Sequence, residues 1–190
     1  MTHAIRTRLL VATACSLLAA CASTPPAQVA DTTAAASSSA SEAVAILASA
    51  SGSLVSGRLV LTPMGDGVHM TGEIGGLKPG DTRGFHIHEK GDCSAADASS
   101  AGGHFNPGAQ AHGRAGQGAH HAGDTDNLVA DGNGVARVDA HLRGVTLGGG
   151  AANDIAGRAV IVHAAADDYS TQPTGNAGAR VACGVIRVVR

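Results

Sequence analysis

Aromatic side chains are nearly missing from this chain: its 190 residues include two Phe, one Tyr and no Trp. A core without aromatics has to be built from Val, Ile, Leu and Ala, and the 27 glycines imply many turns. That combination suits a β-rich fold with long loops better than a helical bundle. Basic residues are also few. Thirteen Lys and Arg stand against fifteen Asp and Glu, with no basic patch, which argues against nucleic acid as a partner. The apolar run Leu9 to Ala20 is far short of the ~20 residues needed to span a bilayer. The length is enough for one domain after processing.

Arg6 and Arg8 ahead of that run mark residues 1–20 as an export signal. The run closes with Leu18-Ala19-Ala20-Cys21, which resembles a bacterial lipobox and implies cleavage before Cys21 and lipid attachment to its thiol. Ala22 is not the aspartate that this resemblance links to inner-membrane retention. The expected location is therefore the bacterial cell envelope, facing the periplasm and lipid-anchored, with the outer membrane favoured over the inner. Without Arg6 and Arg8, eleven basic residues face fifteen acidic ones, a net charge of −4. Cysteine use agrees with export: Cys15 leaves with the leader, Cys21 becomes the anchor, and Cys93 and Cys183 remain. In an oxidising compartment such a pair is expected to form a disulfide. It would close a long loop, for which the chain-entropy model gives ~4–5 kcal/mol.

Residues 21–43, rich in Ala, Ser and Thr with Pro25-Pro26, read as a flexible tether. The domain then covers 44–190. Ser53–Thr62 and Val68–Ile74 alternate as strands around the hairpin signal Gly65-Asp66-Gly67. Asn127–Ala130 and Val135–Leu142 flank a second hairpin at Asp131-Gly132-Asn133-Gly134. Ile155–His163 and Arg180–Val189 read as two further strands. Gly91–Gly123 and Ala164–Ala179 are two long loops, and loops of such length are usually functional or disordered. About eight short strands point to an all-β, antiparallel Greek-key barrel or sandwich.

The chemistry gathers on histidine. His86 and His88 lie two apart on a strand, so their imidazoles project from one face about 7 Å apart at Cα. His104, His112, His121 and Asp124 follow in Gly-rich sequence that can fold back to the same place. Histidines with one carboxylate and no cysteine form a ligand set for zinc or oxidised copper. His69 and His141 have no motif around them and are expected at the surface, whereas His120, directly beside His121, competes with it for the same ligand role.

Gly84-Phe85-His86-Ile87-His88-Glu89, Gly102-Gly103-His104-Phe105-Asn106-Pro107, His121-Ala122-Gly123-Asp124 and the run Gly175 to Ile186 together resemble the copper/zinc superoxide dismutases, over roughly Val44 to Val189. The resemblance implies His86, His88, His104 and His163 as copper ligands. His104, His112, His121 and Asp124 would hold zinc, with His104 shared. It implies that Asp167 bridges His86 and His112, and that Arg180 docks the superoxide anion. The implied activity is dismutation of superoxide to oxygen and hydrogen peroxide by a copper redox cycle, with zinc-supported His104 handling a proton. It leaves a homodimer possible. Two departures stand out: Arg83 replaces a histidine common in relatives, and the Ala164–Ala179 loop has acids but no lysine, so electrostatic steering must come from elsewhere.

Overall fold

The computed structural model describes residues 37–190; the leader, Cys21 and most of the tether lie outside the described residues. Nine strands run in chain order: β1 Ala43–Ser49, β2 Ser56–Met64, β3 Gly67–Gly75, β4 Thr82–Arg83, β5 Phe85–His88, β6 Leu128–Val129, β7 Ala136–Arg143, β8 Ala159–His163 and β9 Arg180–Val188. Among the described residues there is one 3₁₀ turn, Ser99–Ala101, and no α-helix. Seven strands form one antiparallel sheet in the order β5-β8-β9-β1-β2-β3-β7, and β4 pairs with β6. β1, β2 and β3 are a meander, while β9 returns across the chain to lie beside β1, the Greek-key connection. The expected all-β Greek-key class holds, with the strands divided seven and two.

Alternation sets the register. Leu59 and Leu61 in β2, Met70 and Ile74 in β3 and Val138 and Leu142 in β7 point inward and are buried. A one-residue slip would expose each set. Each large aliphatic or Phe side chain buried this way contributes about 1.5–3 kcal/mol. The core holds Phe85, Leu147, Ile155, Val160 and Val162, mostly aliphatic as the composition requires. β8 begins at Ala159, later than the expected Ile155. The reason is Asp154, whose carboxylate accepts the amides of Gly148, Gly150 and Ala156 at 2.8–2.9 Å and winds that stretch into a turn. Order also starts before Val44: the amides of Ser39 and Ala40 both donate to the Leu147 carbonyl.

β5 and β8 are buried on both faces. Phe85 and Ile87 enter the core, and the alternate residues His86 and His88 face the other way under the long loops. The free edge of β5 is met by isolated bridges, His86 with Asp124 and His88 with His104. Gly123 allows this approach, because a Cβ there would lie 2.2 Å from the Ile87 carbonyl oxygen.

Candidate metal centre

The fold brings seven histidine and aspartate side chains into two overlapping groups. In His86, His88, His104 and His163, one nitrogen of each lies within 4.8 Å of the others, and the same spacing holds for His104, His112, His121 and Asp124. All seven are buried. His104 belongs to both sets, with ring centroids 3.9 Å from His86 and 5.4 Å from His121.

Hydrogen bonds settle which atom of each ring is available. His88 Nδ1 donates to the Gly102 carbonyl at 2.9 Å and His163 Nδ1 to the Gly178 carbonyl at 3.2 Å. A carbonyl only accepts, so both protons sit on Nδ1. The bare Nε2 atoms of these two rings then face each other at 3.3 Å, an arrangement that asks for a cation between them. Asp167 lies between two more rings: His86 Nε2 donates to one carboxylate oxygen at 2.7 Å and His112 Nε2 to the other at 2.9 Å. That leaves His86 Nδ1 and His112 Nδ1 as lone pairs, and both are buried without a hydrogen-bond partner, as is His104 Nε2. His112 Nδ1 is 3.1 Å from Asp124 Oδ2 but lacks the geometry of a hydrogen bond. Three orphaned, buried nitrogens and one opposed pair are the signature of sites shaped for metal. Four imidazoles suit a tetragonal copper ion, and three with a carboxylate suit tetrahedral zinc.

Asp124 is fixed from several sides. His104 Nδ1 is 2.8 Å from Oδ1, and the amides of His121 and Gly113 donate to Oδ2 at 2.8 and 3.2 Å. Burial opposes ionisation of its carboxyl, yet these donors with the His121 and His112 rings hold it well below the usual carboxylate range. Burial also dominates at His86, His88, His121 and His163 and favours their neutral form, the form that binds metal. His86 is lowered to about 4, His163 to about 3 and His88 to about 2.

An unfolded histidine titrates near 6.5, so between pH 6.5 and these folded values the unfolded chain holds the extra protons. Stability of the metal-free protein is therefore complete above about pH 6.5 and declines as pH falls toward 4. Each histidine contributes a slope of about 1.4 kcal/mol per pH unit. Denaturant titrations of metal-free protein from pH 7.5 to 4 are expected to show this decline, and a flat profile would contradict the burial argument.

Arg180 opens β9 directly across from His163. Its guanidinium donates to the carbonyls of Ala98 and Gly102 at 2.6 and 2.5 Å, and Gly102 is the same carbonyl that orients His88. Cys93 and Cys183 are joined as a disulfide, Cα–Cα 5.8 Å, which fastens this loop to β9. Arg83 bonds Asp81 at 2.5 Å and the Ala164 carbonyl, so it ties β4 to the start of the second loop. His120 lies outside both sets with Nδ1 2.7 Å from the His121 carbonyl, Asp126 pairs with Arg114, and His69 pairs with Asp139.

Two further residues support the site, and one of them, Asn127, carried no sequence signal for it. Asn127 donates through Nδ2 to the Asp167 carbonyl at 2.9 Å and accepts the Asp167 amide at 2.8 Å. Gly175, at φ +65°, leaves room for the bridge; a Cβ there would fall 1.7 Å from Asp167 Oδ1. Gly175 opens the run Gly175 to Ile186, but the reason for a glycine there is set by the fold.

An antiparallel Greek-key fold enclosing two ligand sets joined by one histidine defines a two-metal all-β protein. The family model for copper/zinc superoxide dismutase (SODC) matches residues 55–186. Superoxide dismutase [Cu-Zn] 2 of Aquifex aeolicus (strain VF5) is 40% identical over 149 residues, 77% of this chain and 86% of that protein. The crystal structure of the clock protein EA4 matches with TM-score 0.71 at 42% identity, covering 81% of this chain and 98% of that one. A SOD-like protein from Bacillus subtilis gives TM-score 0.68 at 39% identity, covering 74% and 95%. The chain belongs to the copper/zinc superoxide dismutase family.

Proposed function

We propose that this protein dismutes superoxide to oxygen and hydrogen peroxide, and the observation that carries the reading is His104 shared between the two buried ligand sets. His86, His88, His104 and His163 would hold copper, which would supply one-electron exchange, and His104, His112, His121 and Asp124 would hold redox-silent zinc. Arg180 places a fixed positive charge beside His163. Burial lowers its pKa, but a guanidinium stays protonated in proteins, so it stabilises an incoming anion electrostatically. It needs no reorganisation, because two carbonyls already hold its guanidinium. Peroxide requires two protons. His104 Nε2, buried and unpartnered, holds one and returns it, and water supplies the other. Asp124 keeps the opposite nitrogen of that ring in place.

The test is superoxide consumption by protein loaded with copper and zinc, followed by stopped-flow. Rapid, copper-dependent consumption is expected. Failure despite full occupancy of both metals would sink the enzyme reading in favour of metal storage or delivery.

The chain is exported and anchored by lipid on Cys21 in the bacterial envelope, facing the periplasm, with Ala22 favouring the outer membrane. The leader composition and the Leu18-Ala19-Ala20-Cys21 motif support this. Cys21→Ser is expected to move the protein from the membrane to the soluble envelope fraction; retention in the membrane would count against lipidation.

A further inference from the structure

His112 is buried in a stretch of loop with no regular secondary structure, so no neighbouring strand satisfies its backbone. One side chain does so instead. Gln172 Oε1 accepts the His112 amide at 2.8 Å, and Gln172 Nε2 donates to the His112 carbonyl at 2.9 Å. This is the pair of bonds an antiparallel strand would exchange with one residue, made here by a carboxamide that carries both a donor and an acceptor. Asp167, on the same loop, holds the far ring nitrogen of His112 at 2.9 Å. Between them Asp168 accepts the amides of Ser170 and Thr171 at 2.9 and 2.7 Å, which winds the segment into a tight turn. The loop thus grips His112 by backbone and ring together. Only Nδ1 is left without a hydrogen bond, beside Asp124.

We propose that Gln172 is a positioning residue for the zinc site: it clamps the His112 backbone so that Nδ1 stays aimed at the ligand set, and thereby slows zinc loss. The proposal rests on the zinc assignment made above. For His112 to swing away from a bound ion, the two Gln172 bonds must break along with the Asp167 bond. Removing partners that orient a metal ligand typically costs 10–100-fold in metal affinity. Arg114 offers a comparison. It also links the two loops, lying 5.2 Å over the Tyr169 ring and bonding Asp126 at 2.7 Å, but no bond joins it to His112.

The experiment measures zinc transfer from the copper- and zinc-loaded protein to a chromophoric chelator at neutral pH, with copper retention read by its visible spectrum. Gln172→Ala is expected to release zinc about 10–100-fold faster with the copper spectrum unchanged. Gln172→Glu, which keeps the acceptor but sets a carboxylate against the His112 carbonyl, is expected to release it at least as fast. Arg114→Ala is expected to match wild type. Wild-type release rates in both Gln172 variants would overturn this proposal alone, and so would equal acceleration in Arg114→Ala, which would assign the effect to general loop adhesion. A wild-type protein holding less than one zinc per chain would overturn the zinc assignment and this proposal with it.

Discussion

His104→Ala is expected to lower superoxide consumption by about 10²–10⁴-fold, the range typical for losing a positioned proton-transfer group, and to weaken both metals at once. No other side chain stands in both ligand sets. Its Nε2 is buried and unpartnered, and its Nδ1 lies 2.8 Å from Asp124 and 3.4 Å from His121 Nδ1. Removing the ring takes one ligand from each site, removes the proton store, and leaves Asp124 short of one of the contacts that lower its pKa. His163→Ala separates these effects. It strikes only the first set, so copper binding should fall while zinc binding stays within a few-fold of wild type. Metal titration with spectroscopic readout distinguishes the two variants. If His104→Ala bound zinc as tightly as wild type, the shared-ligand assignment would be wrong.

Cys93→Ser is expected to destabilise the protein by about 2–5 kcal/mol, the usual cost of losing a native disulfide. For a domain of this size that is roughly 5–15 °C in Tm. The bridge joins residues 90 apart in sequence. The packing around it is thin: Ala50, Ala98, Ala101, Ala159 and Ile161 form a small cluster of their own with Cys183, too few apolar atoms to hold the loop by burial. Activity should fall as well, at temperatures where the variant remains folded. Ala98 and Gly102 lie on the tethered loop, and their carbonyls fix Arg180 and, through Gly102, His88. Calorimetry and superoxide kinetics on the same preparation test both parts. An unchanged Tm would mean the loop is held by something other than the bridge.

Local pattern carried much of the fold. Period-two burial in β2, β3 and β7 follows directly from alternating sequence. β4 escaped notice because two residues, Thr82 and Arg83, are too few to show any period. The true start of β8 was hidden because the interruption comes from the Asp154 side chain, and the apolar run continues across it.

The sequence by itself determined the ligand chemistry. Two histidines at strand spacing, with further histidines and one aspartate in glycine-rich loops, admit few chemistries other than a copper or zinc site. Tertiary structure decided which nitrogen of each ring is free, since that depends on carbonyls and carboxylates distant in the chain: Gly178 for His163, Gly102 for His88, Asp167 for His86 and His112. It also chose the supports, Gln172 and Asn127, whose side chains bond to backbone. Identity can be read one residue at a time, whereas the direction of a lone pair is settled only when the partner that takes the other proton has been folded into place.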